Sequence, residues 1–286
     1  MNKKVFYILF LSSLLLASCD MFEMDNYDAP DATIKGAVVD DETGDSILTD
    51  QGSEGIRVRM LQLDYSDNAQ HNPDFYCMPN GTFQNTKEFK GRYNVTVDGP
   101  FIPIVRENSS GIPIADGSQI VNLKGKGTTN VVFKVKPFLE VEFVGYPTVS
   151  NGIITAKVKV VRRVSRTEFQ SLIEPMGGYS ASLLNLTDIQ FFVSYSSSVG
   201  YRARDDRWPT KIDSSTVGYR ARDERWSNHI DYSGSSFDDL LGTPVTITSA
   251  KGAAIPSGRH VFIRAAARIN YDTPKGSGTR RWNYSK

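Results

Sequence analysis

Apolar and polar residues alternate along most of the chain from Ala32 onward, and this period of two is the pattern of β-strands that bury one face. In the first half the alternation predicts strands at 34–38, 56–63, 75–78, 82–83, 91–97, 102–105, 119–123 and 130–135. Asn80-Gly81 stands between two of these apolar runs, which predicts a hairpin turn. No stretch between residues 32 and 137 shows helical periodicity longer than two turns. The first half is therefore predicted to be all-β.

The alternation resumes after Pro137 and predicts a second all-β unit. Its predicted strands are 138–144, 153–161, 189–195, 244–248, 259–269 and 280–284. Only the stretch 167–177 places apolar residues on one helical face, for one or two turns that Pro175 ends. Short strands separated by turns are typical of an immunoglobulin or fibronectin-like β-sandwich. We therefore predict two β-sandwich domains, 32–137 and 138–286.

The N-terminus has the three-part layout of a secretory signal: the basic pair Lys3 and Lys4, an apolar run, and small residues before Cys19. The apolar run is too short to span a membrane. Leu16-Ala17-Ser18-Cys19 resembles the lipobox of bacterial lipoproteins, which implies removal of the signal peptide 1–18 and acylation of Cys19. The alternative is an ordinary cleaved signal in which the cysteine stands by chance.

Residues 19–31 are predicted to form an acylated tether, because the stretch 20–30 holds four acidic residues, shows no periodicity and ends in Pro30. An acidic segment directly after the acylated cysteine resembles the signal that sends lipoproteins of Bacteroidota to the outer face of the outer membrane. The resemblance implies a surface-exposed protein that is anchored in the outer membrane through its lipid. The alternative is a solvated linker whose charges only keep it extended.

Length, charge and cysteine content narrow the class of protein. Without the signal peptide, the chain is still long enough for two domains with separate cores. The signal peptide holds two of the 33 basic residues and none of the 32 acidic ones, so the rest has a net charge of −1, which provides no long-range attraction to nucleic acid. Cys77 is then the only cysteine besides Cys19, so packing without intramolecular disulfides must hold the domains together. We interpret Cys77 as a buried apolar residue and not as a catalytic thiol.

A tandem repeat at 197–232 interrupts the second half, with its first copy at 197–214 and its second at 215–232. Residues 197–208 recur as 215–226 with only two differences. Two copies are too few for a solenoid. We therefore predict a doubled surface hairpin or loop on the sandwich, in which the Tyr, Ala and Asp of each copy share one face of a strand and the arginines the other.

Each copy of the repeat brings aromatic, cationic and acidic side chains together. Sugar rings pack their C–H faces on aromatic rings, while their hydroxyls need directional donors and acceptors. The candidate glycan-binding residues are Tyr201, Arg204, Asp205, Trp208, Tyr219, Arg222, Asp223 and Trp226. The alternative is that the tryptophans pack on the sandwich while the arginines stack on them or pair with the aspartates as solvated cover.

The other chemistry-bearing residues favour a protein that is not an enzyme and has neither a metal site nor a cofactor. His71, His229 and His260 lack the spacing of a zinc site, and neither a nucleophile elbow nor a phosphate-binding loop occurs. Asp40-Asp41-Glu42 lacks the spacing of a calcium loop, so we interpret it as a solvated turn. A glycosidase stays open as an alternative, because the fold alone sets the separation of its paired carboxylates.

The first predicted domain resembles a known kind of module. The segments 34–44, 55–58, 80–83 and 90–95 look like the carboxypeptidase-regulatory-like, transthyretin-type β-sandwich. Modules of that type are spacers or docking units without a peptidase site, so the resemblance implies no chemistry in this domain. Asp45-Ser46-Ile47 looks like the Asp-Ser/Thr-aliphatic acceptor that these bacteria use for O-glycosylation, with Ser46 as the modified residue.

Taken whole, the chain resembles a two-domain lipoprotein family of Bacteroidota that carries domain of unknown function 3823 and a separate C-terminal domain. The resemblance rests on 19–22, 25–28, 74–76, 94–101, 192–194, 199–200 and 281–285. It implies an accessory glycan-binding role in a polysaccharide-uptake system, beside a SusC-like transporter and a SusD-like binding protein. The alternative is a structural or docking subunit of that complex which touches no sugar. The doubled repeat departs from the family pattern.

Overall fold

The computed structural model describes residues 28–64, 70–71, 74–204, 210–212, 237–249 and 254–286. Strands dominate this part of the chain, and the predicted all-β sandwich fold is confirmed. A single α-helix occurs among the described residues, α1 at Arg166–Ile173, where Ser165 caps the N-terminus by accepting a hydrogen bond from the Glu168 backbone N–H at 3.1 Å. No helix within those ranges has both the length and the apolar character that a membrane crossing requires.

Ten strands of the described chain form the N-terminal part of the fold. They are β1 (Ala32–Asp40), β2 (Arg57–Gln62), β3 (Gln70–His71), β4 (Phe75–Tyr76), β5 (Thr82–Glu88), β6 (Gly91–Asp98), β7 (Val105–Glu107), β8 (Pro113–Asp116), β9 (Gln119–Leu123) and β10 (Thr128–Val135). One sheet has the order β10-β1-β5, with β1 and β10 parallel, and the other has the order β3-β2-β6-β9 with β4 also paired to β2. Strands β7 and β8 form a separate hairpin.

The two N-terminal sheets pack through residues that alternate along each strand. Buried positions recur every second residue in β2, β6 and β10, so each strand turns one apolar face to the shared core. Gly36 in β1 permits a close approach, since a Cβ there would lie 2.2 Å from Cζ of Phe83 and 2.4 Å from the carbonyl oxygen of Val131. The glycine therefore lets the Phe83 ring lie directly against the backbone of β1.

The predicted hairpin at Asn80-Gly81 is wrong, although the tight turn itself is present. Gly81 has φ of +78°, and its N–H donates to the carbonyl oxygen of Met78 at 2.9 Å. The strands on either side nevertheless join different sheets, because Cys77 N–H donates to Ile56 beside β2 while the carbonyl of Gly81 accepts from Val38 in β1. The turn therefore carries the chain from one sheet of the sandwich to the other.

Eight strands, again counted over the described residues, form the C-terminal part. They are β11 (Leu139–Phe143), β12 (Thr148–Ser150), β13 (Ile153–Arg162), β14 (Leu186–Ser194), β15 (Thr210–Ile212), β16 (Val245–Ser249), β17 (Phe262–Ile269) and β18 (Asn283–Tyr284). The first sheet has the order β11-β13-β16-β15 with β12 on β13, and the second has the order β14-β17-β18. The sequence pattern located β11, β13, β14, β16 and β17 but missed the short strands β3, β8, β12 and β15. The strand predicted at 102–105 occurs instead at Val105–Glu107.

Two large hydrophobic cores follow from this arrangement. One is built from residues between Ala32 and Val135, and the other from Ile102 together with residues between Phe138 and Tyr271. In the second core the helix α1 contributes Phe169, whose ring lies edge-on to Tyr271 with the centroids 5.4 Å apart. The domain boundary at Pro137 stays a prediction.

Candidate functional site

A third, smaller core joins the two sandwiches. It is built on the outer face of the β14-β17-β18 sheet from Phe192, Val199, Ala266, Trp282 and Tyr284, with Leu48 and Tyr201 packed against it. Leu48 comes from the first sandwich and the others from the second, so the cluster lies at the contact between them. Trp282 is 1% exposed and meets Phe192 edge-on with the ring centroids 5.7 Å apart. We call this contact, with the C-terminal residues 281–285 at its centre, the joint.

Polar side chains of the second sandwich stabilise the joint by donating hydrogen bonds to main-chain carbonyl groups of the first sandwich. Arg264 donates to Thr49 at 2.8 Å and to Pro79 at 3.1 Å. Arg281 donates to Ser53 at 2.9 Å and also to Gly55. Two further donors complete this set: Asn283 to Pro100 at 2.9 Å and Thr273 to Gly99 at 2.8 Å. Burial lowers the pKa of both guanidinium groups, so these hydrogen bonds stabilise arginines that lie largely out of water.

Asp50 of the first sandwich is the acceptor at the centre of the joint. Its carboxylate is 1% exposed and accepts from the Tyr284 hydroxyl at 2.9 Å, from the Arg202 backbone N–H at 3.1 Å and from the Gln51 backbone N–H at 2.8 Å. The Tyr284 hydroxyl in turn accepts from the Tyr201 backbone N–H at 3.1 Å. Burial raises the pKa of Tyr284 well above its usual value, so this phenol keeps the proton that it donates to Asp50.

The first repeat copy therefore enters the joint, and only part of the predicted glycan platform can be placed. Tyr201 is half-buried, with its ring stacked on Trp282 at 5.9 Å and 27°, and the Arg204 guanidinium lies 4.6 Å from the centre of that tyrosine ring. The Tyr201 ring thus packs on the sandwich, whereas the alternative prediction concerned the tryptophans of the two copies, which lie outside the described residues. The residues that lie outside the described part of the chain are Asp205, Trp208, Tyr219, Arg222, Asp223, Trp226 and the acylation site Cys19.

The expectation that Tyr201 and Ala203 share one face of a strand is wrong, and Asp205 of the same prediction lies outside the described residues. Residues 200–203 form a succession of bends, and the adjacent backbone N–H groups of Tyr201 and Arg202 both reach the joint, where the Tyr284 hydroxyl and the Asp50 carboxylate accept them. In a strand, adjacent N–H groups would point to opposite sides. Gly200 is required at this point, since a Cβ there would lie 2.9 Å from Oδ1 of Asp50 and 3.2 Å from the Tyr284 hydroxyl. Later in the copy, Thr210–Ile212 pairs as a strand with β16.

A cleft that is open to solvent lies beside the joint, where the two sandwiches meet. Its charged lining includes Asp40, Asp45, Glu140, Arg163 and Lys286. Arg163 of the second sandwich pairs with Asp40 at 3.1 Å and with Glu140 at 3.4 Å, while Lys286 pairs with Asp45. Ile47, Leu139 and Val141 add apolar surface to the same cleft. The cleft thus combines hydrogen-bond acceptors, donors and apolar surface.

Two further predicted positions lie at this cleft. Ser46 is half-buried in its lining, and its backbone forms a bridge with Val39, so a glycan on this hydroxyl would have to occupy the cleft. The Asp40 carboxylate accepts from the backbone N–H groups of Glu42 and Thr43, which is the geometry of a turn cap. No group of three or more His, Cys, Asp or Glu side chains that could hold a metal ion occurs among the described residues.

Cys77 lies in the core of the first sandwich and is 2% exposed. Burial raises the pKa of its thiol to about 12, so the thiol stays protonated at neutral pH and is a poor nucleophile. The interpretation of Cys77 as a buried apolar residue agrees with this environment.

The joint residues Asp50, Arg264 and Arg281 were missed by sequence reasoning. Local patterns do not show which face of a sandwich another domain will cover. One signal was present, however, because the run Phe191-Phe192-Val193 places apolar residues on both faces of β14, and strands of that kind are covered on both sides.

Comparison with known proteins gave matches among solved structures. A DUF3823 family protein from Bacteroides uniformis is 59% identical, with 90% of this chain and 97% of that one covered and a TM-score of 0.77. A DUF3823 family protein from Parabacteroides merdae is 17% identical, covers 90% and 98% of the two chains and has a TM-score of 0.53. A candidate carbohydrate-binding protein from Bacteroides uniformis is 19% identical, covers 89% and 96% and has a TM-score of 0.54. No protein-family model and no curated protein matches the chain.

Proposed function

This chain belongs to the DUF3823 family, and from that premise we propose that it is an accessory glycan-binding lipoprotein on the outer-membrane surface, working in a polysaccharide-uptake system. Cys19 would carry the lipid, and SusC-like and SusD-like proteins would be its partners. The description of a structural neighbour as a candidate carbohydrate-binding protein agrees with this proposal, although at 19% identity the likeness concerns the fold alone.

The cleft between the sandwiches is the observation that carries the glycan-binding proposal. It is an open groove and not an enclosed cavity, so a sugar would lie across it with one face in solvent. Sugar hydroxyls both donate and accept hydrogen bonds, so they can use the carboxylates of Asp45 and Glu140 and the ammonium group of Lys286, all of which are about half exposed. Apolar side chains such as Ile47 offer the C–H faces of a ring a surface to pack on.

The joint favours a second candidate function, that of a structural subunit which binds no sugar. Hydrogen bonds from Arg264, Arg281 and Asn283 fix the second sandwich to the backbone of the first. A spacer or docking subunit needs such a rigid connection, because it must hold its partners at a constant separation. This candidate requires no ligand in the cleft.

A glycan array followed by calorimetry on the protein without its signal peptide and lipid distinguishes the two candidate functions. If the cleft binds sugar, Glu140→Ala should weaken the affinity for the best polysaccharide by about tenfold, since about 1.4 kcal/mol, the value of one good polar contact, is lost. Glu142→Ala is the matched control, because Glu142 lies on the same strand, pairs with Lys159 and is not part of the cleft lining. Binding that both variants retain would place the sugar elsewhere, and absence of binding to every glycan would favour the structural subunit.

A further inference from the structure

The joint contains a binding site for a short peptide segment, which residues 199–204 occupy. Val199 is 3% exposed in the small core, and Gly200 lies against Asp50 without room for a Cβ. The next two backbone N–H groups, of Tyr201 and Arg202, donate to the Tyr284 hydroxyl and to the Asp50 carboxylate, both at 3.1 Å. The Tyr201 ring stacks on Trp282. The receiving groups come from outside the repeat. The segment supplies backbone N–H groups, a glycine, a valine, a tyrosine ring and the Arg202 guanidinium, which donates to the Ser53 hydroxyl and pairs with Glu54 at 3.6 Å.

The chain carries the same segment twice. Residues 217–222 read Val-Gly-Tyr-Arg-Ala-Arg, identical to residues 199–204, although they lie outside the described part of the chain. Every feature by which the joint holds the first copy is therefore present in the second copy at the same spacing. The contacts of the joint cannot distinguish one copy from the other.

The lengths of the long connections to the rest of the chain do not distinguish them either. With the first copy in the joint, the long connection is 213–236, which joins Ile212 to Phe237. With the second copy there, the long connection would be 195–216, between Ser194 and Val217. The cost of closing a loop grows only with the logarithm of its length, so the small difference between these two lengths changes the equilibrium by about 1.1-fold. In a tandem duplication, the first copy also keeps the sequence that originally preceded the segment, and the second copy keeps the sequence that originally followed it.

We propose that the joint recognises the segment and not its position, so that either copy fills the site and the chain exchanges between two registers offset by one repeat length. One copy at a time serves as part of the joint, and the other is released from it with its own Tyr, Arg, Asp and Trp. This exchange does not depend on glycan binding, since it follows from the contacts of the joint and the repeated sequence alone.

Glycine substitutions in the two copies test the exchange. Gly200→Val excludes the first copy, because the added Cβ would meet Asp50, and Gly218→Val is its matched counterpart in the second copy. If the two registers are equally populated, each single variant should lower the folding equilibrium constant about twofold, because one of two folded arrangements is lost. The double variant should lower it by a further factor of about 5 to 150, the range expected when a packed site is overfilled.

Limited trypsin digestion with intact-mass analysis shows which copy is held, since the cut sites after Arg202 and Arg220 occupy equivalent positions in the two copies and give fragments of different mass. In the parent protein both sites should be partly protected. In Gly200→Val, protection should move to Arg220, and in Gly218→Val to Arg202. This readout uses only the single variants, so it remains decisive if the double variant does not fold.

The exchange would be overturned if Gly200→Val alone destabilised the protein as much as the double variant and left Arg220 unprotected, since only the first copy would then fit. The mirror result, with Gly218→Val alone equal to the double variant, would overturn it as well. A deletion of 215–232 serves as a control, because in that background Gly200→Val should show the full loss.

Discussion

Replacing Tyr284 with phenylalanine tests the hydrogen bonds of the joint with little change in shape. The hydroxyl donates to the Asp50 carboxylate at 2.9 Å and accepts from the Tyr201 backbone N–H at 3.1 Å, and the residue is 6% exposed. A hydrogen bond to a charged group contributes about 1.5–3 kcal/mol to stability, and a neutral one about 0.5–1.5 kcal/mol. We therefore expect Tyr284→Phe to lower the free energy of unfolding by about 2–4 kcal/mol.

Tyr271→Phe is the matched control for this change. Tyr271 is as deeply buried, at 2% exposure, but its hydroxyl has no hydrogen-bond partner among the described residues. Removing an unsatisfied hydroxyl should leave stability unchanged or raise it slightly. Urea titrations followed by circular dichroism compare the two variants with the parent. For a protein of this size, about 2–4 kcal/mol corresponds to a decrease in Tm of roughly 5–15 °C.

The reasoning fails if Tyr284→Phe changes the free energy of unfolding by less than about 0.5 kcal/mol, or if Tyr271→Phe costs as much as Tyr284→Phe. Either result would mean that burial of the rings, and not the hydrogen bonds to Asp50 and Tyr201, accounts for the stability of this region. If Tyr284→Phe lowers the free energy of unfolding and also unfolds in two separate transitions, the joint couples the unfolding of the two sandwiches in the parent protein.

Three further predictions concern titration, reactivity and anchoring. Because burial raises the pKa of Tyr284 and Tyr271, the folded protein keeps two protons that the unfolded chain loses near pH 10. The free energy of unfolding should therefore be constant with respect to these two groups below that pH and fall above it by about 1.4 kcal/mol per pH unit for each tyrosine. The urea midpoint of Tyr284→Phe should decline less steeply with pH than that of the parent. Cys77, with its pKa of about 12, should not react with a disulfide reagent at pH 8 until urea unfolds the first sandwich, and rapid labelling of native protein would contradict its burial. Cys19→Ala should abolish metabolic labelling with a fatty-acid analogue, whereas label retained in that variant would refute acylation at this residue.

Strands that bury one face could be predicted from the sequence, because their alternation is a local property. β2, β6 and β13 each show apolar residues at every second position, and the structure has strands there with the same buried positions. The pairing of strands could not be predicted in the same way. Asn80-Gly81 turns the chain as expected. No hairpin forms, however, because the chain before the turn bonds to Ile56 beside β2, and the chain after it bonds to Val38 in β1, a strand of the other sheet.

The role of the repeat could not be predicted because its receptor is distant in sequence. Asp50 and Tyr284 are separated by 234 positions, and only the packed fold brings them to the backbone of Tyr201 and Arg202. Aromatic and arginine residues in one segment suggest a sugar platform and a packed joint equally well. For Tyr201 the burial of Trp282 decides between them, because a ring stacked on a side chain that is 1% exposed has at most one face for a ligand.

The hydrogen bonds of the joint place different demands on the two sandwiches. The second sandwich contributes particular side chains, Arg264, Arg281 and Asn283, whose donors cannot be replaced by residues of another type. To these three side chains the first sandwich offers main-chain carbonyls, such as that of Thr49, which remain when a side chain changes as long as the backbone keeps its shape. The joint can therefore keep one geometry while the surface of the first sandwich varies. A cleft whose walls keep a constant separation loses less binding energy to ordering them, and the hydrogen bonds of this joint hold the two walls of the cleft in place.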